Sequence, residues 1–203
     1  AKFLSLPLST NNGQSMLTFD FLKMDVKKSK LTAEVIMKYL KSSSRIQIKT
    51  DAGTDLTLMK RGRMPGFFNG VTADGGGFSS ASIEVYIPVE ECGTNGTMVI
   101  DGSLGYIGAA REDTRVVFKE GRIVEIEETP TGKRLKEYME GYHDSGIYVA
   151  GELGIGLNSY SQCAGRCYIE DESAYGTFHI GLGRNIALGG THEANGHFDL
   201  VAR

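Results

Sequence analysis

Apolar and polar positions alternate with period two along much of this chain, and two stretches switch to helical spacing. Arg45-Ile46-Gln47-Ile48-Lys49-Thr50 and Asp55-Leu56-Thr57-Leu58-Met59-Lys60 alternate on either side of Asp51-Ala52-Gly53-Thr54, which predicts a hairpin. Residues 115–119 and 122–127, joined by Glu120-Gly121, predict a second one. Short strands are predicted at 83–88 and 97–101, and a longer one over 146–156 runs into a Gly-rich loop. Residues 177–203 read as two strands joined by the glycine-rich segment 181–196. Behind an Asp25 N-cap, Leu31, Val35, Ile36, Tyr39 and Leu40 predict a helix to about Ser42 with this stripe as its buried face. Residues 133–142 predict another helix, and the Gly- and Ser-rich run 62–82, with Gly75-Gly76-Gly77, a long functional or mobile loop. The pattern gives an α+β chain, mostly β-sheet, with two or three flanking helices.

Composition narrows the function classes. With 203 residues, 40% of them hydrophobic, the chain can bury a real core. A net charge of -3 and a pI near 5.9 argue against nucleic acid or an anionic membrane surface as partner. Lys60-Arg61-Gly62-Arg63 then reads as a solvated loop rather than a phosphate site. No apolar run approaches the ~20 residues of a membrane span, and no signal-peptide pattern opens the chain. Three cysteines are an odd number and form no disulfide framework, so a cytoplasmic location is expected. Cys163 and Cys167 lack the second pair that a zinc site needs. Glycine, at 27 residues, fits tight turns and close backbone approaches.

The chemistry gathers near the C-terminus. In a strand, His197 and Asp199 share one face, with Cα atoms roughly 6.5–7 Å apart, so both converge on one metal ion or proton relay. His179, Glu152 and Glu84 lie in other apolar or glycine-rich strands, where a buried carboxylate needs a cation, a backbone donor or a metal. Taken singly, Glu84 also suits the solvent face of an amphipathic strand, and His179 a hydrogen-bonded core. His143 and His192 sit in polar turns and read as surface residues. Two imidazoles and three carboxylates suit Zn, Mn, Co or Fe better than Ca or Mg, and five donors exceed one tetrahedral ion, which points to two ions.

Five blocks carry a family resemblance: Asp51–Leu58, Ile83–Pro88, Asn95–Gly102, Gly151–Asn158 and the terminal His197-x-Asp199. In order and spacing they resemble the aminopeptidase T family of two-metal aminopeptidases over most of residues 20–203. The resemblance implies a single metal-binding catalytic domain over 1–203, without the family's N-terminal domain. It further implies two ions (Zn, Co or Mn) on Glu84, Glu152, His179, His197 and Asp199, a peptide or other small-molecule substrate, and a homodimer. A chain opening at Ala1 without methionine agrees with a truncated or minimal member. Two family positions differ. The tyrosine seven residues after the first ligand histidine is Ile186 here, and the acid five before it is Ala174. Glu172, with a two-residue insertion, is the candidate general base, and Tyr175 the candidate replacement hydroxyl.

The run from Gly181-Leu182-Gly183-Arg184-Asn185 through Gly189-Gly190-Thr191 to His197-Phe198-Asp199 is also similar to 2,5-dihydroxypyridine 5,6-dioxygenase. That resemblance implies one Fe(II) bound by two histidines and an aspartate. That enzyme's first histidine falls where this chain has Glu152, and His179 is additional. The expectations, in order, are a metallo-aminopeptidase-like hydrolase, a mononuclear Fe(II) ring-cleaving dioxygenase, and an inactive metal-stabilised domain.

Overall fold

The computed structural model describes residues 3–6, 8–71, 78–80 and 82–203. Along the chain come β1 (Phe3–Ser5), α1 (Val26–Ser42), β2 (Arg45–Lys49), β3 (Asp55–Met59), β4 (Gly66–Phe68), β5 (Phe78–Ser80), β6 (Glu84–Pro88) and β7 (Asn95–Ile100). There follow β8 (Thr114–Lys119), β9 (Arg122–Ile126), α2 (Pro130–Glu140), β10 (Ala150–Gly156), α3 (Tyr168–Ser173), β11 (Phe178–Gly183) and β12 (His197–Ala202). The class is α+β and mostly sheet, as the alternation predicts.

Two antiparallel five-stranded sheets form the frame, ordered β12-β11-β10-β6-β4 and β2-β3-β7-β8-β9; β1 and β5 pair in parallel beside them. Both hairpins form where their turns predict them, with Ile46 opposite Leu58 and Val116 opposite Ile126. Leu56, Leu58, Met98, Val116 and Phe118 of one sheet share a single buried cluster with Val85, Ile87, Leu153, Ile180, Leu182 and Leu200 of the other. In β11 the core takes Ile180 and Leu182, while His179, Gly181 and Gly183 point the other way. That opposite face carries the site.

The α1 helix starts where expected, its N-cap Asp25 carboxylate accepting from the Lys28 N–H. Its orientation differs from expectation. Ser29, Ala33 and Leu40 are buried, whereas Leu31, Val35 and Tyr39 are exposed. The helix turns its small residues inward, where Ser29 Oγ donates to Leu157 O, and leaves an apolar stripe outside. The predicted solvated loop at 60–63 also needs correction. Lys60 is buried and its ammonium donates to Leu40 O at the end of α1, where the helix dipole favours a cation. Arg63 is tied to Glu91. The expected long loop at 62–82 contains β4 and β5, and Gly75-Gly76-Gly77 lies outside the described residues. The short α3 went unpredicted because six residues are too few to establish a helical period.

Candidate metal centre

Strand pairing brings the predicted ligands together. Gly154 of β10 stands opposite His179 of β11, Glu152 opposite Gly181, Gly181 opposite Asp199 of β12, and Gly183 opposite His197. Glu84, at the start of β6, lies across from Gly156. Each large ligand thus has a glycine beside it, and the absent side chains leave the space in which imidazoles and carboxylates meet. The fit is tight: a Cβ on Gly154 would lie 2.0 Å from His179 Cε1, and one on Gly181 2.7 Å from His197 Cε1.

Both imidazoles aim Nε2 at carboxylates. His179 Nε2 lies 3.2 Å from Glu84 Oε2 and 3.9 Å from Asp199 Oδ1. His197 Nε2 lies 3.2 Å from Glu152 Oε2 and 3.3 Å from the same Asp199 Oδ1. Asp199 therefore stands between two His–Glu pairs. His197 is oriented by Nδ1, which donates to Arg184 O at 2.8 Å and leaves Nε2 for the cluster. Ser82 Oγ donates to Glu84 Oε1. A sixth group, Glu172 of α3, reaches the same cavity and shares a proton with Asp199.

Four carboxylates and two imidazoles crowd one buried place, and their titration reflects it. Burial pushes Glu84 up to about 7, reinforced by Glu152 and Asp199 and opposed by His179. Burial and the charges of Glu84, Asp199 and Glu152 drive Glu172 well above the usual carboxylate range. His197 goes well above its ordinary value: burial opposes this, but the Asp199 and Glu152 carboxylates outweigh it. Asp199 falls to about 2, because both imidazoles outweigh its burial. The surplus of negative charge, two nitrogen donors, and the buried Glu84 Oε2 and Asp199 Oδ1, which lack hydrogen-bond partners, fit a divalent transition-metal cation. Donor atoms of Glu152, His179 and Asp199 all lie within 4.8 Å of one another.

All five sequence-predicted ligands converge, and Glu172 joins them. Tyr175 does not: it is exposed and borders a separate groove beside α1, so no hydroxyl from it enters the cavity. Ile186 sits on a one-turn helix outside the cavity lining. Of the two histidines read as surface residues, His143 is exposed, while His192 is half-buried, its Nε2 bonded to Gly146 O. Sequence reasoning missed the walls. The cavity, about 330 Å³, is bounded by Phe68, Tyr106, Tyr168, Leu188 and Arg184. Tyr106 and Tyr168 pack with ring centroids 4.2 Å apart. One signal was available: Tyr168 and Glu172 are four apart and share a helix face.

The lip of the cavity, residues 184–191, is clamped by Glu91. Its carboxylate accepts from Arg63 Nη2 (2.7 Å), Asn185 Nδ2 (3.0 Å) and Thr191 N–H (2.8 Å). Burial opposes ionisation, but these donors hold Glu91 down at about 2. A lowered folded-state pKa gives stability that is complete above the unfolded value, near 4.5, and lost as pH falls towards 2. Glu91→Gln should therefore be less stable than the parent by about 2 kcal/mol at pH 7, with the gap mostly closed by pH 2.5. Urea unfolding at the two pH values measures this, and a pH-independent gap would show that the carboxylate charge is not what holds the lip.

The family model described as 2,5-dihydroxypyridine 5,6-dioxygenase (NicX) matches residues 20–203. No curated protein matches the chain significantly. Among solved structures, 2,5-dihydroxypyridine dioxygenase from Pseudomonas putida KT2440 is similar with a TM-score of 0.77 and 22% identity, over 90% of this chain and 56% of that one. AmpT from Thermus thermophilus is similar with a TM-score of 0.60 and 19% identity, over 87% of this chain and 49% of that one. The chain thus spans about half the length of either protein. These findings overturn the expectation of an aminopeptidase T member, and with it the hydrolase and metalloprotease readings. Three of the five shared blocks (Ile83–Pro88, Gly151–Asn158 and the terminal His197-x-Asp199) lie in the ligand-bearing sheet and two (Asp51–Leu58 and Asn95–Gly102) in the facing one, and AmpT has a similar fold. Of the residues expected for a peptidase, Glu172 reaches the cavity, whereas position 186 is Ile and Tyr175 lies elsewhere.

Proposed function

This chain belongs to the 2,5-dihydroxypyridine 5,6-dioxygenase family, and from that membership we propose a metal-dependent dioxygenase that opens a hydroxylated aromatic or N-heteroaromatic ring. His179, His197 and Asp199 would hold one Fe(II), the two-histidine, one-carboxylate set of non-haem iron oxygenases. The observation that carries this reading is Asp199 Oδ1, buried without a hydrogen-bond partner and facing Nε2 of both imidazoles. A bound Fe(II) supplies the dioxygen chemistry. Overall, one O2 is consumed per ring opened, both oxygen atoms entering the product as a ring C–C bond breaks.

The chain's own side chains bind, orient and move protons. Tyr106, Tyr168, Phe68 and Leu188 supply an apolar slot sized for a single ring and exclude bulk water from its faces. Glu84, buried on the cavity floor beside His179, is placed to take a proton from a ring hydroxyl. Glu172, in the same cavity, holds a proton against Asp199.

A second reading concerns metal count only. The separate pairs Glu84–His179 and Glu152–His197, with Asp199 between them, also suit two ions, and Zn, Co or Mn would then compete with Fe. Metal analysis after anaerobic reconstitution separates one ion from two. The dioxygenase itself is tested in an oxygen electrode with Fe(II)-loaded protein and 2,5-dihydroxypyridine. One O2 consumed per ring lost is expected, and no uptake with any dihydroxylated ring would overturn the proposal. Assembly as a homodimer and a cytoplasmic location are further proposals; among the described residues no helix is long and apolar enough to cross a membrane.

A further inference from the structure

The cavity has two chemically different ends. Its floor gathers Glu84, Glu152, Glu172, Asp199 and both imidazoles, while Arg184 is the single Lys or Arg among the described lining residues. The root of Arg184 is fixed to the floor by two backbone hydrogen bonds. Its N–H donates to Gly196 O at 2.8 Å, and its carbonyl accepts from His197 Nδ1 at 2.8 Å. The guanidinium is therefore tethered beside a metal-site histidine but projects towards solvent. Its partner there is Glu193, with Nε 3.2 Å from Oε2 and side chains 56% and 66% exposed. Such an exposed pair is weak and is readily displaced by a ligand anion offering planar, two-point hydrogen bonding. The same cavity, about 330 Å³, is also lined by Phe68, Tyr106, Tyr168 and Leu188.

From this polarity we infer that Arg184 is a specificity-determining residue, and that the substrate is a monocyclic aromatic bearing a carboxylate or equivalent anionic group on the edge away from its metal-directed oxygens. The inference rests on the dioxygenase reading for the orientation of the ring. A neutral dihydroxylated ring would leave Arg184 unused. An acid of the same size would bring its charge to the one arginine among the described residues lining the cavity and keep it from the four carboxylates.

The test uses a matched pair of probes, 1,2-dihydroxybenzene and 3,4-dihydroxybenzoate, titrated calorimetrically at pH 7 into the Zn(II)-loaded full chain and, in parallel, the metal-free chain. The carboxylate probe should bind at least tenfold more tightly. Arg184→Met should erase that preference, with the affinity of the same variant for the neutral diol as the reference. Glu193→Gln, which removes the competing anion, should enlarge the preference. Equal binding of the two probes, a preference that survives Arg184→Met, or no binding of either probe would overturn the inference. Oxygen uptake with 2,5-dihydroxypyridine but no carboxylate preference would sink the role of Arg184 alone. An Arg184-dependent preference with no oxygen uptake from either class of ring would sink the dioxygenase reading and leave the anion site standing.

Discussion

The Asp199→Asn variant should bind Fe(II) more than 100-fold more weakly than the parent chain and consume no measurable oxygen. Asp199 is the one carboxylate that faces Nε2 of both His179 and His197, and its Oδ1 has no other partner. Losing a group that merely orients a ligand costs about 10–100-fold in metal affinity, so losing this one should exceed that range. A thermal readout needs no turnover. At 100 times its dissociation constant a metal stabilises the folded chain by about 2.7 kcal/mol, which for a domain of this size raises Tm by about 5–10 °C. That rise should be present in the parent chain and absent in Asp199→Asn. An undiminished rise in the variant would show that the cation sits on the glutamates and that Asp199 is not a ligand.

Gly154→Ala should be nearly as damaging, although it adds one methyl to a residue that ligates nothing. The new Cβ would stand 2.0 Å from both Cε1 and Nε2 of His179. The imidazole can move away only towards the Glu84 and Asp199 carboxylates, out of its present position, because His179 is buried and its strand is paired on both sides, with β10 and β12. Overpacking of this kind costs about 1–3 kcal/mol, a fall in Tm of roughly 3–10 °C. The displaced Nε2 should also abolish the metal-induced rise in Tm. The double variant Gly154→Ala/His179→Ala isolates the cause. If the clash is responsible, it should be about as stable as His179→Ala alone. Fully additive losses would place the fault in the backbone of β10 instead.

Several parts of this molecule were legible from residue order. Alternation with a two-residue period announced both hairpins and the strands of the site, and the same period put His197 and Asp199 on one face. Glycine beside Glu152 and carboxylates inside apolar strands marked the residues that converge on the buried cluster, since a charge in such surroundings needs a partner. Family membership was harder to read. The five blocks lie in the strands and turns of both sheets, so they indicated the scaffold more firmly than the reaction.

What the sequence alone determined about this protein was therefore local: which segments extend, where the chain turns, and which strand residues carry metal-binding donors. Tertiary structure decided the rest. Alternation says that a residue lies on one of two faces but not which face meets the core. Helical spacing has the same limit: Leu31, Val35 and Tyr39 of α1 sit outside, and Lys60 is buried against the end of that helix. Register across four strands, which no local pattern encodes, set Gly154 against His179 and Gly181 between Glu152 and Asp199. The cavity walls come from segments far apart in the chain, with Phe68, Tyr106, Tyr168 and Arg184 meeting only when the ligand-bearing sheet, the turn at 105–107 and α3 come together. Proximity across such distances is a property of packing, and it separates a row of metal-binding residues from a pocket with a floor, walls and one charged lip.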